Sequence, residues 1–171
     1  MKSLTTMLVL GLIFTASYGQ QKNELSDPEV ASVAVVANQI DISYAEIAMD
    51  RSKNKEILEF ANRMTTDHNA VIQQAVNLVT KLSVTPKDNA VSQSLLNNAE
   101  KTKKKLLQAK KDKFDKLYIE NEVEYHKAVI AAIKNLLIPE SDNQELKELL
   151  KAVLPALEAH QKHAEMVQKQ L

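Results

Sequence analysis

Both glycines of the chain, Gly11 and Gly19, lie among its first 19 residues, so nothing from Gln20 to Leu171 can use glycine to turn. Tight turns usually need a residue with positive φ, which glycine adopts at no steric cost. A strand-rich fold would need many such turns; long helices with few connections need almost none. The hydrophobic content of 44% comes mainly from Ala, Leu, Val and Ile, with 4% aromatic residues and no Trp. That composition fits helices, and 171 residues fit one domain. Doubly wound nucleotide folds and phosphate loops are excluded for want of a Gly-rich turn. The absence of cysteine removes disulfides, thiolate metal sites and cysteine nucleophiles. Charge is balanced at 22 basic against 22 acidic residues, which argues against nucleic acid as a partner.

Residues 1–19 read as a secretory signal peptide. Lys2 supplies a positive start, Leu4 to Ala16 is largely apolar, and Ser17 and Gly19 place small residues at the positions a signal peptidase checks. The apolar stretch is shorter than the ~20 residues of a spanning helix, and no cysteine follows it to take a lipid. Cleavage is expected before Gln20. Loss of Lys2 leaves 21 basic against 22 acidic residues, and no later segment is apolar enough to span a bilayer. The mature chain is expected to be a polar, disordered linker over 20–27 and one bundle domain over 28–171.

Asp27-Pro28-Glu29 reads as a helix start, with Asp as N-cap, Pro in the first turn and an acid near the positive helix end. The first helix runs to about Ser52, with Val33, Ala37, Ile40, Tyr44, Ile47 and Ala48 at helical spacing. The second covers roughly Lys55 to Leu82. Its seam alternates by four and three through Ile57, Ala61, Met64, His68, Val71, Ala75, Leu78 and Leu82. Pro86 breaks the chain, and a weaker amphipathic segment follows from Asp88 to about Lys110. A further helix spans about Asp112 to Leu137. Pro139-Glu140-Ser141-Asp142 forms a turn and the N-cap of the last helix, which continues to the C-terminus with Pro155 expected to kink it. Four helices of this length are each about 40 Å long, and the weaker segment reaches about 33 Å if helical. It can therefore return the chain along the bundle as a crossover, or pack as a fifth helix in a simple up-down connection.

Polar residues on the apolar stripes carry the functional information. His68 sits mid-seam on the second helix. The stripe Tyr118, Glu122, His126, Val129 and Ile133 sets a carboxylate and an imidazole one turn apart. His160 shares a face with Leu146, Leu150, Val153, Leu157, Ala164 and Val167, and Asp41 lies at the edge of the first helix's stripe. Measured from the first interhelical turn, Asp41, His68, Glu122 and His126 fall at depths of about 15 to 22 Å, and His160 comes down to the same layer. His68, His126 and His160 with Asp41 or Glu122 would suit one transition-metal ion: zinc, iron or copper. The same five residues could instead form a hydrogen-bonded polar layer that fixes register, with Asp41 accepting from a histidine and Tyr44, Tyr118 or Tyr125 completing it. His163 borders the stripe and reads as exposed. The Lys101–Lys105 run reads as a solvated face, Asp67 as solvent-facing and Asp115 as a helix-end charge.

Several stretches resemble a bacterial family, domain-of-unknown-function family 4142. They are Asn38-Gln39-Ile40-Asp41, Phe60-Ala61-Asn62-Arg63-Met64 with Asp67-His68, Phe114-Asp115-Lys116-Leu117-Tyr118, Glu122-Val123-Glu124-Tyr125-His126, Leu154-Pro155 and His160-Gln161-Lys162-His163-Ala164. The resemblance covers essentially the whole mature chain. It implies an exported, periplasmic or outer-membrane-associated protein. The implied fold is all-α: a ferritin-like four-helix bundle with a helical crossover between the second and third long helices. Ferritin-like di-iron proteins use Glu-x-x-His pairs, and this chain has none: Glu122 and His126 are four residues apart, Glu158 and His160 two. Ferroxidase, oxygenase and storage activities are therefore not expected, and a single ion is the better fit if metal binds.

Three functions follow, in order of preference. The first is a structural polar layer within an interaction scaffold that meets an envelope partner or a second copy. The second is a mononuclear metal-binding protein. The third, a metal-dependent enzyme, would need an open coordination position.

Overall fold

The computed structural model describes residues 25–171. The expected leader and its cleavage point lie outside the described residues. Five helices account for nearly all of the described chain: α1 Asp27–Arg51, α2 Lys55–Lys81, α3 Ala90–Gln108, α4 Lys111–Ala132 and α5 Gln144–Gln168. There is no strand among the described residues, as the missing glycines require. None of these helices is long and apolar enough to cross a membrane.

Helix ends are closed by side chains rather than glycine. The N-cap of α1 is Ser26, one residue before the expected Asp27; its N–H and hydroxyl both donate to Glu29 Oε2, at 3.0 and 2.7 Å. With Ser26 as the cap, the Asp27 carboxylate accepts instead from the Asp142 and Asn143 backbone N–H groups at the mouth of α5. Leu25, which the sequence places in the linker, is buried against the core. Asn54, Asn89 and Asn143 cap α2, α3 and α5. The cost of lacking glycine shows after α2, where Ser83 takes φ 53°, the left-handed region that usually falls to glycine at a helix C-terminus.

Hydrogen bonds fix how α3 lies. Asn89 Nδ2 donates to Glu29 O at 3.1 Å near the start of α1. At the other end of α1, Arg51 donates to the Leu106 and Ala109 carbonyls, each at 2.6 Å, and to that of Leu107. Thus α3 runs beside α1 from its first turn to its last. The same guanidinium sits 4.9 Å over the Phe114 ring and so ties the entrance of α4 to that end.

Helix α4 does not stop where expected. It passes through a π-helical turn, Ile133–Leu137, and one more α turn, Ile138–Glu140. Pro139 has no N–H to give an α-helical partner, and its ring crowds the preceding turn. The wider turn absorbs this, with the Ile138 N–H donating to Ile133 O. Helix α5 continues through Pro155 as one element.

Two apolar clusters form the core. One gathers Tyr44, Ala48, Ile57, Phe60, Met64, Phe114, Tyr118 and Val167 near the α1–α2 turn. The other gathers Val30, Val33, Ile130, Ile133, Leu137, Leu146, Leu150 and Leu157 toward the opposite end. Each fully buried large side chain is worth roughly 1.5–3 kcal/mol, so Phe60→Ala would cost ~3–5 kcal/mol. Packing on α2 is uneven: Ile57, Phe60, Ala61, Met64 and His68 are buried, but Val71, Ala75 and Leu78 of the predicted seam are only half-buried.

Candidate metal centre

Five ionisable side chains lie between the two apolar clusters. Asp41 (α1), His68 (α2), Glu122 and His126 (α4) and His160 (α5) are at most 3% exposed. The three imidazole rings form a near-equilateral triangle, with centroids 5.8 Å apart for His68–His126, 5.4 Å for His68–His160 and 5.5 Å for His126–His160. One ligand nitrogen from each lies within 4.8 Å of the other two. Asp41, Glu122 and His126 form a second group within the same limit. The five side chains expected to share a layer are therefore brought together, Asp41 among them although it lies at the edge of its helix's apolar stripe.

Each histidine is held by an acceptor on its outer side. Asn38 donates its Nδ2–H to Ala34 O at 2.8 Å, which turns its Oδ1 toward His68 Nδ1, 2.7 Å away. The Glu122 carbonyl accepts from His126 Nδ1 at 2.9 Å. Asp67 Oδ2 accepts from His160 Nε2 at 2.8 Å. These acceptors assign a proton to each of the three outer nitrogens. The remaining nitrogens, His68 Nε2, His126 Nε2 and His160 Nδ1, are buried and have no protein partner. In the neutral rings they carry lone pairs. Outer N–H groups held by carbonyl or carboxylate acceptors, with inner lone pairs free, are the arrangement of metal-ligating histidines.

The carboxylates are equally short of partners: no oxygen of Asp41 or Glu122 accepts a hydrogen bond from the protein. Asp41 Oδ2 lies 3.4 Å from His68 Nε2 and 3.5 Å from His126 Nε2. Both distances exceed the ~2.9 Å of a charge-assisted hydrogen bond. They match the ~3.4 Å separation of neighbouring ligands in a tetrahedron with ~2.1 Å bonds. The closed hydrogen-bonded layer expected from sequence is not formed by protein groups. Tyr118 Oη has no partner, and Tyr125 Oη donates instead to the Ala37 carbonyl at 2.8 Å.

Burial sets the charge state. It pushes the His68 imidazole down to about 3 and that of His126 to about 4. His160 is also lowered by burial, against the upward pull of Asp67. Asp41 is pushed up to about 8, and Glu122 is driven well above the usual carboxylate range by burial and by the Asp41 charge. The imidazoles are therefore neutral near pH 7, as ligands must be.

Two residues that matter here do not stand out as site residues in the sequence. Asp67, read as solvent-facing, is 38% exposed and pairs with Arg63, but it also holds His160. Burial raises its carboxyl, and the hydrogen bonds from His160 and Arg63 outweigh that and leave it lowered. Asn38 lies one turn before Asp41 on α1, and that spacing is the available clue. His163 is half-buried with its ring edge-on to Phe60 at 5.2 Å, not exposed. Lys101, Lys104 and Lys105 are solvated, as expected.

Fold and site together define a class: an all-helical protein with a buried histidine–carboxylate cluster drawn from four of its helices. The chain belongs to the family described as domain of unknown function (DUF4142), which matches residues 14–167. No curated protein and no solved structure was found to match it.

Proposed function

We propose that this protein binds one transition-metal ion through His68, His126, His160 and Asp41, with Glu122 beside them as a further carboxylate. One observation carries this reading: three buried imidazoles from three helices, each anchored on its outer nitrogen, present unpartnered inner nitrogens next to an unpartnered carboxylate. A structural layer would be expected to pair those atoms with one another. Three neutral nitrogens and a carboxylate oxygen suit zinc, iron or copper and do not suit calcium or magnesium, which take oxygen ligands.

The architecture we infer is a ferritin-like bundle of α1, α2, α4 and α5, with α3 as the crossover. The course of α3 beside α1, end to end, supports it. So does the entry of α4 under Arg51, at the end where α3 finishes. The protein is exported in this reading, on the strength of Lys2, the apolar Leu4 to Ala16 and the small residues Ser17 and Gly19. Mass spectrometry of the secreted or periplasmic form is expected to find Gln20 as the first residue; an intact Met1 would remove the export claim.

Elemental analysis of untagged protein, purified without a chelating column, tests the binding. About one zinc, iron or copper per chain is expected, falling below about a tenth in His68→Ala and in His126→Ala. Wild-type protein with no metal above background, or variants that keep it, would refute the proposal.

A further inference from the structure

A cavity of about 50 Å³ reaches the cluster from one side. Its polar end is lined by Asn38, Asp41, His68 and His126, whereas His160 and Glu122 do not line it. The partnerless atoms of Asp41, His68 and His126 thus belong to residues on the cavity wall. The remaining wall is apolar apart from Tyr125, whose hydroxyl is committed to Ala37 O. Its outer part is built from half-buried residues of α2 and α5, among them Val71, Ala75, Leu149 and Val153. This is where the predicted α2 seam fails to close: alanines stand at positions 34, 37 and 75, and no side chain fills the space they leave.

Size and polarity restrict what can use this space. An engineered apolar cavity of roughly 150 Å³ holds benzene, so one of about 50 Å³ fits a molecule of two or three heavy atoms. The wall offers no Lys or Arg, and an anion would have to shed its hydration uncompensated. A four-ligand zinc-type site can expand to five-coordinate, and the cavity reaches the cluster on the side of Asp41, His68 and His126. We propose that the cavity admits a small uncharged molecule, of the size of dioxygen or nitric oxide, to the bound metal between His68, His126 and Asp41. The proposal rests on the metal reading above and assigns that metal a ligand-accepting face.

Nitric oxide on the Fe²⁺-loaded protein is the probe. Protein loaded anaerobically and shown by elemental analysis to hold iron is titrated with nitric oxide and followed by the electron paramagnetic resonance signal of the iron–nitrosyl adduct. The wild type is expected to give the adduct. Ala75→Phe, or the smaller Ala75→Leu if the first folds poorly, is expected to take up the same iron and bind nitric oxide at least about tenfold more weakly. Iron-loaded wild type that gives no adduct, or a filled-cavity variant with unchanged affinity, overturns this inference alone. Failure to take up iron, zinc or copper at all overturns the metal reading and this one with it.

Discussion

Asp41 Oδ2 stands 3.5 Å from His126 Nε2, both atoms buried, and no hydrogen bond joins them. The imidazole proton that could have bridged the gap is on the other side of the ring, given to the Glu122 carbonyl. With Asp41 ionised, two acceptors would face each other in a low-dielectric interior without water, which is costly unless a proton or a metal ion lies between them. A metal ion shared with His68 and His160, as proposed, would take the place of that proton at the observed spacing.

The pH dependence of the metal-free protein follows from the same burial. Asp41, raised to about 8, and Glu122, also raised, keep protons in the folded state that the unfolded chain gives up above about pH 4. Their effect is a stability that falls as pH rises toward 8. His68 and His126, lowered to about 3 and about 4, act the other way, because unfolded imidazoles take up protons below ~6.5. The two effects oppose each other below ~6.5, and above it only the carboxylates remain. Urea unfolding in chelator should therefore show stability declining from pH 6.5 to 8, by up to ~1.4 kcal/mol per pH unit for each proton involved. Asp41→Asn should flatten the decline, and bound metal should abolish it by displacing the proton. Rising stability over that interval in the metal-free protein would contradict the assignment.

Asp67 acts on the site through His160. Its side chain is 38% exposed, so Asp67→Ala should leave the fold nearly intact while freeing the imidazole to rotate. Loss of such an outer partner typically weakens metal binding ~10–100-fold. Competition with a chromophoric chelator should give that weakening, with the metal-free melting temperature within a few degrees of wild type. Unchanged affinity would mean that Asp67 only decorates the surface.

Ser83 provides a prediction independent of the site. Holding serine at φ 53° costs roughly 1–2 kcal/mol relative to glycine, partly offset by the greater freedom of unfolded glycine. Ser83→Gly should raise stability by ~0.5–1 kcal/mol, and Ser83→Val should lower it. Both can be read from thermal melts, and a lower melting point for the glycine variant would contradict the strain argument.

Periodicity makes the inner layer legible, because a histidine amid apolar residues at three-and-four spacing can point only inward. The same reasoning fixes the helix order and puts the breaks within a few residues. It misses Asp67 because a helical wheel gives the direction of a side chain but not which neighbour waits there; α5 brings His160 to that flank. It places the first N-cap at Asp27 because Ser26 and Asp27 are both good caps, and only the bond from Asp27 to the start of α5 separates them. The half-exposed second half of α2 is illegible for a related reason. A regular seam records what a helix could bury, not how closely α5 approaches it.

X-ray absorption at the metal edge of the zinc-loaded protein tests the central claim most directly. The predicted first shell is about four nitrogen or oxygen atoms at ~2.0–2.1 Å, with outer-shell scattering from three imidazole rings. That imidazole signature should fall to two rings, or vanish with the metal, in His160→Ala. A shell of oxygen atoms with no imidazole contribution would place the ion elsewhere on the protein and leave the buried histidines without the role assigned to them.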